Sequence, residues 1–405
     1  MNIAYVTMQF PVPSETFSSQ DVEALRRQGH SVVVYGLRPR HKRHSQMMIE
    51  RQHFDLRVIN FGIRALWKFL TTCIFEPQVF FYILTWVFVK NRKAPRQLFK
   101  SVVLIPSVIS IYSDLKKYKP DVVHLFWGHY PAMVGVLVHK FFSESLVSMF
   151  LGAHDLEENY AGSVDLANRV KLVFTHANSN LKALVQMGID TDSVHVVHRG
   201  TKISVVNTGL ERFNKMLDKP SFVTAARLID EKGVDDVLRI FSSILDIYPM
   251  ATLSIAGDGP QRKSLEALAA DLGCADQVTF LGHIAQTELV SLMSRSNFFI
   301  LMSRYAAERL PNALKEAMLQ GCVVVTTRTL GIEELVHHAV NGFVVDMGDC
   351  RTAFESVKKC IASPPLAKSI ACVARKHVLE NFDVDASMRK YVSIWEEEIR
   401  VRRLG

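Results

Sequence analysis

Short, largely apolar runs recur along this chain with helix-forming segments between them. Val32-Val33-Val34, Val122 to Phe126, Val323-Val324-Val325 and Phe298 to Met302 are examples. A strand with no polar face must be covered on both sides, which selects a parallel sheet between helical layers. The runs predict strands at residues 3–8, 31–36, 121–126, 145–151, 171–177 and 194–197. A second series follows at 221–226, 251–255, 278–281, 298–302 and 323–325. The segment Asp21 to Gln28 reads as the first connecting helix, stopped by Gly29. Strands alternating with helices give a doubly wound α/β sheet. Residues 201–219 read as a linker, and 405 residues suffice for two full cores.

The stretch Ser303 to Gly321, SRYAAERLPNALKEAMLQG, follows one such strand. It opens a helix at Pro311-Asn312, with Leu310 before it and Ala313 and Leu314 after. Glu308 lies in the loop and Glu316 about one turn into the helix. Ligands of open α/β sheets bind at the carboxyl ends of the strands. A helix N-terminus there offers free N–H groups to an anion such as a diphosphate. The two carboxylates then suit hydroxyls on either side of it. On spacing alone, both Glu read equally well as solvated residues of an amphipathic helix.

The residues Glu308, Pro311, Asn312, Glu316-Ala317-Met318 and Gly321, followed by Gly331-Ile332-Glu333-Glu334 and Asn341-Gly342, resemble a known signature. It is the donor site of retaining glycosyltransferases of family 4, which have the GT-B fold. The resemblance implies two Rossmann-like parallel-sheet domains facing a cleft, with a C-terminal helix crossing back to the first domain. The boundaries read as 1–203 for an acceptor-side domain, 204–383 for a nucleotide-sugar-binding domain and 384–405 for the returning helix. In that family the first Glu contacts the donor sugar and the second binds the ribose. The family usually has Gly after the first Glu; this chain has Arg309, a long cation beside the expected donor pocket.

Further segments extend the resemblance. Ala225-Ala226-Arg227-Leu228 with Lys232-Gly233 is similar to the family segment whose Arg and Lys neutralise the donor diphosphate. Cations at strand and helix ends suit the charge that develops on a leaving diphosphate. Gly257 and Gly259 permit a tight turn near a ligand, or are simply a turn. Gly282 matches the family position beside the nucleotide base. In the first half, His154, beside Gly152 and Asp155, matches a His that faces the donor sugar. His129, His124 and His198 are acceptor-side candidates. Pro13-Ser14-Glu15-Thr16-Phe17 resembles the P-S-E-T-F segment of bacterial exopolysaccharide glycosyltransferases, such as those of colanic acid and amylovoran assembly. That likeness puts Ser14, Glu15 and Thr16 on the acceptor side, while Ser14 and Thr16 also read as helix caps.

Net charge is +8, yet residues 1–100 carry fifteen Lys and Arg against six Asp and Glu. The first quarter therefore holds the whole excess. Such a patch suits nucleic acid, an anionic membrane or an acidic substrate. Here Trp67, Phe80, Phe81, Trp86 and Phe88 lie beside Lys90, Arg92, Lys93, Arg96 and Lys100. Aromatics beside cations select the membrane interface over nucleic acid; the other reading of the section 61–112 is a helical insertion packed on the core. Val79 to Val89 is too short to span, since a crossing helix needs about 20 apolar residues, and no stretch is expected to cross. Asn2 to Val6 is already strand-like, so no signal peptide is expected. Six scattered Cys without C-x-x-C read as reduced thiols in the cytoplasm. The triplets Asp190-Thr191-Asp192 and Asp383-Val384-Asp385 read as turn and helix caps, and no metal or cofactor is expected.

The expected function is transfer of a sugar from a nucleotide-diphosphate sugar to a lipid-linked or oligosaccharide acceptor, at the inner face of a bacterial membrane. A sugar-nucleotide epimerase and a catalytically silent binding protein remain alternatives.

Overall fold

A computed structural model describes residues 1–12, 15–203, 210–305 and 308–404. The chain divides into two compact units, residues 1–202 with 384–405, and residues 203–383. Among the described residues each unit holds one all-parallel sheet.

The first sheet contains β1 (Asn2–Thr7), β2 (Ser31–Gly36), β3 (Arg57–Asn60), β4 (Val122–Phe126), β5 (Leu146–Phe150), β6 (Leu172–Thr175) and β7 (Val194–Val196). Their order is β3-β2-β1-β4-β5-β6-β7. The second contains β8 (Ser221–Ala225), β9 (Thr252–Ala256), β10 (Val278–Gly282), β11 (Phe298–Leu301), β12 (Val323–Thr327) and β13 (Phe343–Val345). Their order is β10-β9-β8-β11-β12-β13. β3 and β13 are additions to the expected strands. Both are edge strands of three or four residues, too short to leave a period in the sequence.

On one face of the first sheet lie the helices of the apolar section: Ile63–Phe75, Pro77–Asn91 and Pro95–Tyr118. Val79, Ile83, Trp86, Val87, Ile109 and Tyr112 enter the core beneath them. Trp86 donates its indole N–H to Asp165 at 2.7 Å, so its polar atom is satisfied inside the domain. The expectation that no stretch reaches spanning length needs correction. Pro95–Tyr118 has 24 residues and is long and apolar enough to cross a membrane. Arg96 and Lys100 lie near the start of this helix. Half of its apolar window is buried within the protein, as in a core helix.

The other face carries the first and last helices of the chain, among others. Thr16–Arg27 begins at Thr16 rather than Asp21, because Ser18 and Ser19 are buried and extend its packed face. Glu15 is the N-cap and Thr16 already lies inside the helix, which corrects the reading of Thr16 as a cap. The final helix, Val384–Leu404, buries Met388, Tyr391, Val392 and Trp395 against this face. Tyr391 stacks on Phe174 with ring centroids 4.1 Å apart. Trp395 is fully buried and donates to Ser148 Oγ at 2.9 Å, and that hydroxyl also bonds His124 Nδ1 at 3.0 Å. His124 is therefore a core residue, not an acceptor-side group. Burial pushes its imidazole down to about 3. In the Asp triplets, Asp190 accepts from the Asp192 N–H within its turn, and Asp385 pairs with Arg27 of the first helix.

Trp395→Ala should destabilise the protein by about 3–5 kcal/mol, the usual cost of truncating a large buried aromatic. Urea denaturation followed by circular dichroism measures it, and a loss below about 1 kcal/mol would mean that the last helix is not part of the first unit's core.

Candidate functional site

In the second sheet, β8 and β11 are neighbours, but their connections depart in opposite directions. β8 leads to β9 on one side and β11 to β12 on the other. A crevice must open at the carboxyl ends of such a pair. The segment after β8 carries Arg227 and Lys232, and the segment after β11 carries Glu308 to Asn312. The structure brings the two together. Lys232 Nζ and Glu308 Oε1 are 2.5 Å apart, with side chains only 14% and 15% exposed. Glu308 Oε2 is buried and has no hydrogen-bond partner among the described residues.

Several contacts hold these two loops in register. Ser303 Oγ and the Arg304 N–H both bond the Glu231 carbonyl, at 3.1 and 2.8 Å. Arg304 NH2 lies 2.8 Å from Asp235 and 2.7 Å from Asp236. Hydrogen bonds to Asp235 and Asp236 hold the guanidinium in its charged form still more firmly than usual. Gly233 has φ +58°, and a Cβ there would sit 2.0 Å from the Met302 carbonyl oxygen. Only glycine lets the end of β11 pass so close to the helix Val234–Leu245. Arg227 is exposed at the end of β8.

Gly257 and Gly259 are required by the backbone itself. A Cβ on Gly257 would lie 1.8 Å from the Ala226 carbonyl oxygen, and one on Gly259 2.4 Å from that of Leu228. Their service is to the Ala226–Leu228 backbone, which they press into position beneath Arg227. Gly282 accepts from the Gly257 N–H at 2.8 Å and takes φ +66° beside Arg262.

The helix Asn312–Leu319 starts at Pro311 as N-cap. Pro311, Asn312 and Ala313 are half-buried, while Arg309 and Leu310 are buried. Glu316 is 7% exposed, so the solvated reading of it is wrong. Burial pushes its carboxyl up to about 7, partly offset by a hydrogen bond from Gln286 and the charge of Lys315. Lys315, which sequence reasoning missed, is itself buried, bonded to Asn312 Oδ1 at 3.0 Å and 5.5 Å from the centre of the Phe382 ring.

The first sheet has the same divergence between β1 and β4. Glu15 follows β1, and Trp127 and His129 follow β4. Glu15 accepts from the Trp127 indole, and burial raises its carboxyl above the ordinary range. His129 and His154 have ring centroids 5.6 Å apart. His154 is exposed, whereas His129 is buried and bonded through Nδ1 to Asp155 at 2.9 Å. His198 supplies its backbone carbonyl to Ser387 Oγ. Arg199, also missed, lies over Phe17, Phe126 and Phe150 at 4.5, 4.8 and 4.2 Å from their ring centres. Only its place after β7 hinted at it. Ser14 lies outside the described residues.

The architecture is matched by solved structures across the whole length. The Anabaena protein HepE in complex with UDP and glucose superposes with a TM-score of 0.69 at 19% identity, covering 98% of this chain and 99% of that one. The fold is GT-B, and the chain is a glycosyltransferase. Residues 209–377 match the family described as glycosyl transferases group 1. Similar relatives include the amylovoran biosynthesis glycosyltransferase AmsK of Erwinia amylovora, 24% identical over 98% of this chain and 99% of that protein. The lipopolysaccharide core biosynthesis glycosyltransferase LpsE of Rhizobium meliloti is 25% identical over 47% of this chain and 54% of its own length.

The Glu316 shift has a sign that can be checked. An unfolded chain ionises this carboxyl near 4.5, and the folded one near 7. Between those values the folded state holds a proton that the unfolded state has lost, so this group's contribution to stability falls as pH rises. Glu316→Gln cannot ionise and should lack that dependence. The melting temperature of the variant minus that of wild type should rise from pH 4.5 to 7; a constant difference would place Glu316 in a solvated environment.

Proposed function

We propose that this chain is a retaining glycosyltransferase that uses a nucleotide-diphosphate sugar and builds a lipid-linked bacterial polysaccharide at the cytoplasmic face of a membrane. The observation that carries the donor reading is the Lys232–Glu308 pair at the β8/β11 divergence, with one Glu308 oxygen left unpartnered among the described residues. A cation and a carboxylate held there suit a ligand that is anionic at one end and hydroxylated at the other. Arg227, Lys232 and the N–H groups at the start of the helix Asn312–Leu319 serve the diphosphate. Glu308 receives a sugar hydroxyl and Glu316 the ribose, with Arg309 and Leu310 lining the approach. In the reaction, the acceptor oxygen forms a bond to the anomeric carbon on the face from which the diphosphate departs. The anomeric carbon–oxygen bond breaks with its electron pair going to the diphosphate, which takes the acceptor's proton. UDP and glucose, held by the Anabaena relative, are the first ligands to try.

The acceptor reading draws on the names of AmsK and LpsE and on the surface of the first unit. Ile63, Trp67, Ile74, Phe75, Phe81 and Phe99 are each between 62% and 82% exposed on the three helices of residues 63–118. Between residues 77 and 113 there are five cations and no acid. Lys90 is committed to Asp165 at 2.6 Å, which leaves Arg92, Lys93, Arg96 and Lys100 for an anionic surface. Each such cation near the bilayer contributes about 1 kcal/mol. The helices Ile63–Phe75 and Pro77–Asn91 meet at 104°. With the inward faces already committed to the core, the outward apolar side chains suit insertion among headgroups.

Three measurements test this reading. Thermal shift against nucleoside diphosphates and their sugars should show stabilisation by one base, and donor hydrolysis should follow; no response to any would overturn the proposal. Arg227→Ala or Lys232→Ala should lower turnover about a hundredfold or more with the fold intact, while Glu316→Gln should chiefly raise the donor's apparent KM. The protein should float with anionic liposomes at low salt and partly release at high salt. Arg92, Lys93, Arg96 and Lys100 replaced together by Gln should weaken flotation, and absence of flotation in wild type would remove the membrane.

A further inference from the structure

The first unit contains an imidazole whose two nitrogens have been assigned different tasks by the fold. Asp155 is fully buried and its carboxylate accepts three N–H groups. Oδ1 takes the His129 backbone N–H at 3.1 Å and faces His129 Nδ1 at 2.9 Å, and Oδ2 takes the Gly152 N–H at 2.9 Å. A carboxylate can only accept, so the proton of this contact resides on Nδ1. In the neutral ring Nε2 is then a bare acceptor. Nε2 has no hydrogen-bond partner among the described residues, and it is not sealed in the core.

The surroundings of that nitrogen point to a ligand class. Trp127 adopts φ +73°, a conformation few side chains tolerate. Its half-buried indole stands edge-on to His154 at 6.0 Å and donates to Glu15. An aromatic edge, a carboxylate and an imidazole acceptor thus share the β1/β4 divergence, where an open sheet receives its ligand. A ring with apolar C–H faces and several hydroxyls answers all three. We propose that His129, oriented by Asp155, accepts a hydrogen bond through Nε2 from a hydroxyl of the acceptor sugar. His129 then touches the substrate, and Asp155 is a positioning residue. The word acceptor rests on the glycosyltransferase reading; the sugar-binding nitrogen does not. The exposed His154, although it stands beside Asp155 in the sequence, donates no bond to that carboxylate, which accepts from His129 and Gly152.

Long-range imidazole ¹H–¹⁵N spectra of the full chain test this, with the His129 signals assigned by their loss in His129→Gln. In wild type, His129 should show a protonated Nδ1 and a bare Nε2. A panel of methyl α- and β-hexopyranosides should shift the His129 Nε2 signal. Asp155→Asn should abolish that shift and mix the tautomers. A proton on Nε2 in the wild type, or glycosides that move only His154, would overturn the proposal even if Asp155→Asn fails to fold. So would a panel that moves no histidine. Donor hydrolysis run in parallel keeps the two readings apart: its failure with the His129 shift present removes the transferase assignment and leaves the sugar site.

Discussion

Both polar clusters in this molecule are arranged around a constraint on parallel strands. Each central strand is buried on both faces beneath helices, so its sides offer no room for a ligand. Only the carboxyl ends are free, and they separate where neighbouring connections diverge. The β8/β11 and β1/β4 pairs are those places. Lys232, Glu308 and Arg227 gather at one, Glu15, Trp127 and His129 at the other. The glycines nearby serve backbone contacts first. Gly233 lets the Met302 carbonyl pass, and Gly257 lets that of Ala226 pass. Side chains in the crevice are aimed by these contacts between main chains, which deform far less than side chains do.

Burial then decides how each charge behaves. Glu316 is held away from water, relieved in part by the Gln286 hydrogen bond and the charge of Lys315, and its carboxyl takes protons near neutrality. Glu308, by contrast, has Lys232 against one oxygen. Two carboxylates eight residues apart thus differ in kind. Glu308 keeps its second oxygen buried and without a partner among the described residues, while Glu316 is a group able to donate or accept near neutral pH.

Central strands and the long final helix were legible because their periods are long and their faces uniform. Met388, Tyr391, Val392 and Trp395 stand out as one stripe and are buried together. The edge strands β3 and β13 were not legible, being short and, in β3, partly wet. The motif of residues 303–321 marked the region after β11, but spacing could not tell buried Glu316 from a solvated one. The pairing of His129 with Asp155 joins residues twenty-six apart and leaves no mark in any local pattern. His124 misled for the opposite reason. It sits in a run that looks like its neighbours, and only the arrival of Trp395 from the far end of the chain shows it to be interior.

That late arrival bears on how the protein is made. The second unit is one continuous segment, and it can close as soon as residue 383 has been synthesised. The first unit cannot. Its sheet is complete after β7, but one face keeps His124 and Phe174 without their partners Tyr391 and Trp395 until the last helix emerges. Translation at about 5–20 residues per second leaves that apolar face waiting for the whole of the intervening unit. The N-terminal unit is therefore the last to complete its core, although its strands are the first to be made.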